Sequence, residues 1–301
     1  MCLWWVTALC AQEFGTHWIG VTDPDSFSHV WFRQAYLEQR RPQWACVTVV
    51  SSGYYKLYVN ECNVGTAVLY PTRQPLTVNP VSMTFDVTPY LRPDTNVVAL
   101  CYAPTYPHVD SCQVSVSFYG VDGNGKAFCR NSDGNWLSRR ANSRWTSDGQ
   151  EVVDGRYHNT SWKAACFDQG LWRTVAQRRG RKIRHISYLS AVAPVLRHVH
   201  TDGCLYFDRD SSGVSYEFGE GFHGLLRLTL RGARSGQRVV YGGLEYVCNG
   251  ELDEQAFPVF RMGEYRRVRV TGDKRFRQDL ITTVEALKMA YETCDDGIPW
   301  Q

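Results

Sequence analysis

Residues 53–65 read GYYKLYVNECNVG, and the run after the glycine decides the fold class. Tyr54, Lys56 and Tyr58 alternate with Tyr55, Leu57 and Val59. Aromatic and β-branched residues at a period of two form a strand with one face turned to a core. Asn60 tolerates positive φ and opens a turn, and an Asn-Gly pair would close a two-residue hairpin. Glu61 stands where that glycine would be, so the expectation is a longer loop through Glu61, Cys62 and Asn63 that closes near Gly65. The return strand then runs over 64–70.

The same grammar extends outward. Strands are expected at 45–50, 96–103 and 113–122, punctuated by turn clusters at 51–53, 92–94, 122–125 and 132–135. Helical periodicity is missing from 16–177, and short strands at this spacing predict a β-sandwich or jelly roll. A charged run at 178–184 breaks the pattern. A second β region follows: two strand runs around a Gly-rich bend in 214–233, then 237–247 and 264–273. Over 280–291, Leu280, Val284, Leu287 and Tyr291 fit a helix face, so periodicity alone leans to helix there. The expected organisation is all-β, with two jelly-roll-like β-sandwich domains in tandem. Residues 14–177 make the first, 178–185 a basic linker, and 186–301 the second.

Composition narrows the function classes. The 301 residues are 44% hydrophobic, enough for one large or two ordinary domains. A net charge of only +3 does not imply a nucleic-acid partner, and the basic run at 178–182 reads as a solvated linker. Eleven cysteines show neither a CxxC pair nor zinc spacing, so most of them read as small buried hydrophobes, and a metal site is not expected. An apolar run at 3–11 is too short to span a membrane. It resembles the later part of a secretory signal, with 1–13 as its remnant, and a periplasmic or extracellular location is expected. No other segment is a transmembrane candidate.

Six separated motifs carry a resemblance. In order they are THWIG (16–20), WFRQAY (31–36), GYYKLYVNECNVG (53–65), MTFDVTPYLRPDTNVVAL (83–100), EVVDGRYHNTSWKAACFDQGLWRTV (151–175) and YEFGEGFHGLLRLTLRG (216–232). Together they resemble the N-terminal β-domains of bacterial α-L-rhamnosidases of glycoside hydrolase family 78, over roughly 16–235. The chain departs from the family pattern at several places. Glu61 replaces the hairpin glycine, Gly155 stands for an alanine, and 221–224 reads GFHG where the family has NFAG. The resemblance implies that 280–291 is a strand, against the periodicity, and strand is the expectation adopted. The family's catalytic unit is a long barrel of paired helices with its own acidic motif, and this sequence contains neither. The resemblance therefore implies an accessory architecture, and calcium, which some relatives bind near a sugar, has no assignable ligand run here.

Candidate site residues follow from the chemistry. Glycoside hydrolysis requires two carboxyl groups, one with a raised pKa. Glu217, Glu220 and Asp253 are the weak candidates, and Glu217 and Glu220 face opposite sides of a strand unless glycines bend it. Sugar binding requires an aromatic platform and a few fixed polar groups. Trp136, Trp145, Glu151, Asp154, Arg156 and His223 are the candidates, with Trp136 and Trp145 expected to be exposed and Trp162 and Trp172 expected to pack. The expected function is a non-catalytic carbohydrate-binding module for rhamnose-containing glycan. The alternatives are a truncated or split rhamnosidase-type hydrolase, and a scaffold that docks another glycosidase chain.

Overall fold

The computed structural model describes residues 16–65, 67–71, 80–105, 114–168, 170–178, 187–188 and 195–292. The segment 1–13 and most of the basic run at 178–185 lie outside them. The described residues are strands joined by turns and four single-turn 3₁₀ helices, so the molecule is all-β.

The opening stretch forms the strand Tyr54–Val59, and its alternation is real. Tyr55, Leu57 and Val59 are buried in the first core, with Tyr54, Lys56 and Tyr58 half-buried on the other face. The turn corrects the expected longer loop. Asn60 and Glu61 both take positive φ, at 50° and 73°, and Val59 pairs with Cys62 across a two-residue hairpin. Asn60 makes this geometry possible. Its carboxamide donates to Tyr90 O and Asn96 Oδ1, both at 2.8 Å, and accepts from Val97 N at 2.8 Å. With Asn60 locked to the neighbouring strand, Glu61 is carried into the left-handed region. The expected return strand at 64–70 reduces to Cys62–Asn63 and a bridge between Tyr55 and Tyr70.

Two sheets organise the described residues. A seven-stranded sheet is built around Trp44–Ser51, which pairs antiparallel with Val81–Asp86 and Val114–Val121. The second sheet has fifteen strands and runs through both halves of the chain. On the N-terminal side it contains Tyr54–Val59, Thr95–Ala103, Ser28–Leu37 and Leu137–Trp145. Leu137–Trp145 pairs with Glu151–Asp154, which pairs parallel with Leu244–Val247 of the C-terminal half. The two halves have separate cores. One is centred on Phe32, Leu100, Phe118 and Trp136, the other on Leu228, Leu230, Leu244 and Val270. A third cluster between them stacks Trp31 and Trp162 and takes in Phe260 from the C-terminal half.

One further expectation is revised, and the strand adopted for the final segment holds. The region 214–233 is one strand, Gly213–Arg231, whose ladder loses register between Glu217 and Phe222. Gly219 and Gly221 sit at φ 64° and 90° in that irregularity, a conformation that favours glycine. The final segment is the strand Ile281–Glu292. Its central residues pair on both edges, with Gly213–Arg231 and Val195–Gly203, and that sheet context overrides the helical spacing.

Glu61 gives a direct test of the hairpin. A non-glycine residue in the left-handed region costs about 1 kcal/mol, and the half-exposed Arg92 partner at 3.6 Å offsets little of it. Glu61→Gly should therefore stabilise the protein by about 1 kcal/mol in denaturant unfolding, whereas a loss of stability would contradict the two-residue turn.

Candidate functional site

The strand Glu151–Asp154 is the seam between the halves. Glu151 N donates to Gly243 O at 2.9 Å, and the Glu151 side chain is fully buried. Its carboxylate accepts from Val259 N at 3.1 Å, Phe260 N at 3.1 Å and Arg261 N at 2.9 Å. Arg261 reaches back to Gly149 O at 2.6 Å. Beside this knot lies His29, also fully buried, with Nδ1 2.7 Å from Ser143 Oγ and 3.7 Å from the Glu151 carboxylate. The His29 ring meets Trp145 and Phe260 edge-on at 4.9 and 5.0 Å. Burial holds its pKa down at about 3, so it is neutral in the fold. Burial also pushes the Glu151 carboxyl up to about 7, against the pull of the backbone N–H donors.

Several sequence candidates are therefore structural. Glu151 is committed to three backbone amides and faces no ligand. Trp136 is fully buried in the first core, not exposed as expected. Trp145 is buried too, and its indole N–H donates to Pro104 O at 2.7 Å, although its edge borders a small cavity. Asp154 and Arg156 form a two-point ion pair at 2.9 and 2.7 Å on the surface. Glu217 is half-buried and Glu220 exposed at the strand irregularity. His223 is exposed and shares the small cavity, about 250 Å³, with Trp145, Tyr54 and Tyr291.

A larger cavity, about 500 Å³, opens where the two halves meet. One wall comes from the outer face of Tyr54–Val59 and the 3₁₀ turn Ser161–Lys163, which supply Lys56, Tyr58, Trp162 and Lys163. The opposite wall comes from 246–259 and supplies Asn249, Glu251, Gln255 and Phe257. Trp162 stacks on Trp31 at 5.4 Å and meets Tyr58 edge-on at 5.6 Å, so the aromatic wall is rigid. Asp253 borders this cavity, where its two-point pair with Arg231 at 2.7 and 3.1 Å holds it below the usual carboxylate range. The neighbouring Glu254 is buried and accepts from Asn249 N at 2.5 Å and Gly250 N at 3.2 Å.

Of the candidate site residues read from the sequence, only Asp253 borders this cavity, and Trp162, expected to pack, lines it as well. Lys56 sat in the opening stretch, and two tyrosines on a nominally outer face were the available signal that something covers it. Among the described residues no group of three or more His, Cys, Asp and Glu side chains could hold a metal ion, and no helix is long and apolar enough to cross a membrane. Cys101 and Cys248 are buried as expected, whereas Cys62, Cys129 and Cys166 are exposed.

An all-β body of two cores on one shared sheet is a fold that known proteins share. Residues 40–193, just over half the chain, match the family described as the alpha-L-rhamnosidase N-terminal domain, and the chain belongs to that family. The fold resembles an alpha-L-rhamnosidase from Dictyoglumus thermophilum, with a TM-score of 0.80 at 16% identity over 93% of this chain and 36% of that one. It also resembles the alpha-L-rhamnosidase of Aspergillus terreus, with a TM-score of 0.76 at 19% identity over 93% and 36%. A third likeness is the Streptomyces avermitilis alpha-L-rhamnosidase complexed with L-rhamnose, with a TM-score of 0.73 at 18% identity over 88% and 29%. The chain thus spans about a third of the length of these proteins. At such identities the likeness is one of fold, and it takes in the C-terminal half beyond residue 193. No curated protein sequence matches this one.

The His29–Glu151 pair sets a pH dependence. The folded pKa of His29 lies below its ordinary 6.5, so its contribution to stability is complete above pH 6.5 and lost as pH falls towards 3. The folded pKa of Glu151 lies above its ordinary 4.5, so its contribution is complete below pH 4.5 and lost as pH rises through 7. In thermal melts against pH, His29→Gln should flatten the acid limb and Glu151→Gln the limb between pH 4.5 and 7. Unchanged limbs would contradict the assignment. Glu151→Ala, which strands three amides, should destabilise by roughly 3–5 kcal/mol in denaturant unfolding. A loss below about 1 kcal/mol, an ordinary single hydrogen bond, would contradict the seam.

Proposed function

We propose that the chain is a carbohydrate-binding accessory module that holds rhamnose-containing glycan in the cavity between its halves without hydrolysing it. The observation that carries this reading is the lining of that cavity. Its volume falls in the usual range for small-ligand sites, about 300–1,000 Å³. A rigid aromatic wall offers a surface to the apolar face of a sugar ring, and Asn249 and Gln255 offer amides that both donate and accept from hydroxyls.

The state of the acids supports binding over hydrolysis. A general acid needs a raised pKa. Asp253 is held low by Arg231, and Glu254 is tied to two backbone amides. The rhamnosidase activity of the longer relatives enters this reading only as the source of the sugar class. The apolar run at 3–11 supports action outside the cytoplasm.

Calorimetric titration with rhamnose-terminated oligosaccharides tests the reading. Saturable heat is expected, weakened about ten-fold or more by Phe257→Ala or Gln255→Ala, which corresponds to about 1.4 kcal/mol or more. Steady heat production at excess sugar would mean turnover and overturn the non-catalytic reading. Binding that both variants leave intact would move the site away from this cavity.

A further inference from the structure

The cavity is electrically divided. Lys56 and Lys163 both line one wall. Among the described residues neither ammonium has a carboxylate in ion-pair contact. Every acidic side chain on the lining comes from the far wall, at Glu251, Asp253 and Glu254, and the latter two are already engaged. Each ammonium lies over an aromatic ring, with Lys163 Nζ 4.4 Å from the Tyr58 centroid and Lys56 Nζ 5.6 Å from that of Phe260.

Glu151 and Glu61 offset the charges of Lys56 and Lys163 only from beyond ion-pair distance, which leaves two half-buried ammonium groups on one wall with room for a closer anion. Burial is the largest influence on each and lowers its pKa, and the charge of Lys163 adds to this at Lys56, against the partial pull of Glu151 on Lys56 and of Glu61 on Lys163. An anion between them would relieve both effects. The far wall suits hydroxyl groups, with the Gln255 amide and the uncommitted Glu251 carboxylate as partners. A ligand matching both walls carries a carboxylate at one end and vicinal hydroxyls at the other.

We propose that the glycan held in this cavity bears a uronic acid, whose carboxylate is received by Lys56 and Lys163. This rests on the sugar-binding reading above and narrows it from neutral to acidic saccharides.

The test uses a disaccharide of rhamnose and glucuronic acid, and the same disaccharide with its carboxyl reduced to an alcohol. Both are titrated into the full chain by calorimetry. The acidic form is expected to bind about ten-fold tighter at low salt, as charge-assisted hydrogen bonds require. The gap should close near 1 M salt, where screening is strong. Lys163→Gln, at an exposed-edge turn, and Lys56→Gln should each narrow it, and the first keeps the test valid where the second impairs folding. Equal affinity for both forms would overturn this proposal and leave the sugar-binding reading standing. A preference for the acid that survives both substitutions would also overturn it. Binding of neither disaccharide would remove both readings together.

Discussion

The carboxylate of Glu151 is the constraint on which the architecture depends. It sits fully buried at the start of the seam strand and accepts three consecutive backbone amides, at Val259, Phe260 and Arg261. Those amides belong to a stretch with irregular backbone between strands Asp253–Ala256 and Gly263–Gly272, so no ladder partner satisfies them. An unpaired buried amide costs about 1–3 kcal/mol, and one side chain here answers for three. The arrangement positions Phe260 against Trp145 and His29 and fixes the far wall of the cavity. The two halves thereby become one body and not two beads on a linker.

That union explains why the cavity exists. Each half closes its own core, and the outer faces left over are only half apolar. Lys56 and Tyr58 point outward from one half, and Phe257 and Val259 line the same space from the other. Parallel pairing of Glu151–Asp154 with Leu244–Val247 joins the two halves edge to edge within one sheet. Trp31 and Trp162 then fill part of the angle between them and leave the rest as a walled space. Aromatic side chains are abundant in the chain, and two of the tryptophans near this space, Trp31 and Trp162, line it directly, with Trp172 packed against them.

Much of the fold was legible. Period-two runs gave the strands at 45–50, 54–59, 96–103 and 113–122, and the resemblance anticipated the final strand where periodicity leaned to helix. The hairpin was misjudged because the device that holds Glu61 at positive φ is the Asn60 carboxamide, anchored to residues thirty or more positions away. The site was less legible for the same reason. Trp136 and Trp145 lie among polar neighbours in sequence, which suggests exposure, yet long-range packing buries both. Glu151 looked like a sugar ligand and is a tie between halves. Lys163 and Gln255 carry no local signature, since what makes them notable is a cavity assembled from segments about a hundred residues apart.

Hydrogen exchange of individual backbone amides tests the central claim most directly. If Glu151 joins the halves into one body, the amides of Val259, Phe260 and Arg261 exchange as slowly as the core strands, despite lying outside any strand. Exchange at the rate of an ordinary loop would show that the seam opens on its own, and a cavity of fixed shape between the halves would have no foundation.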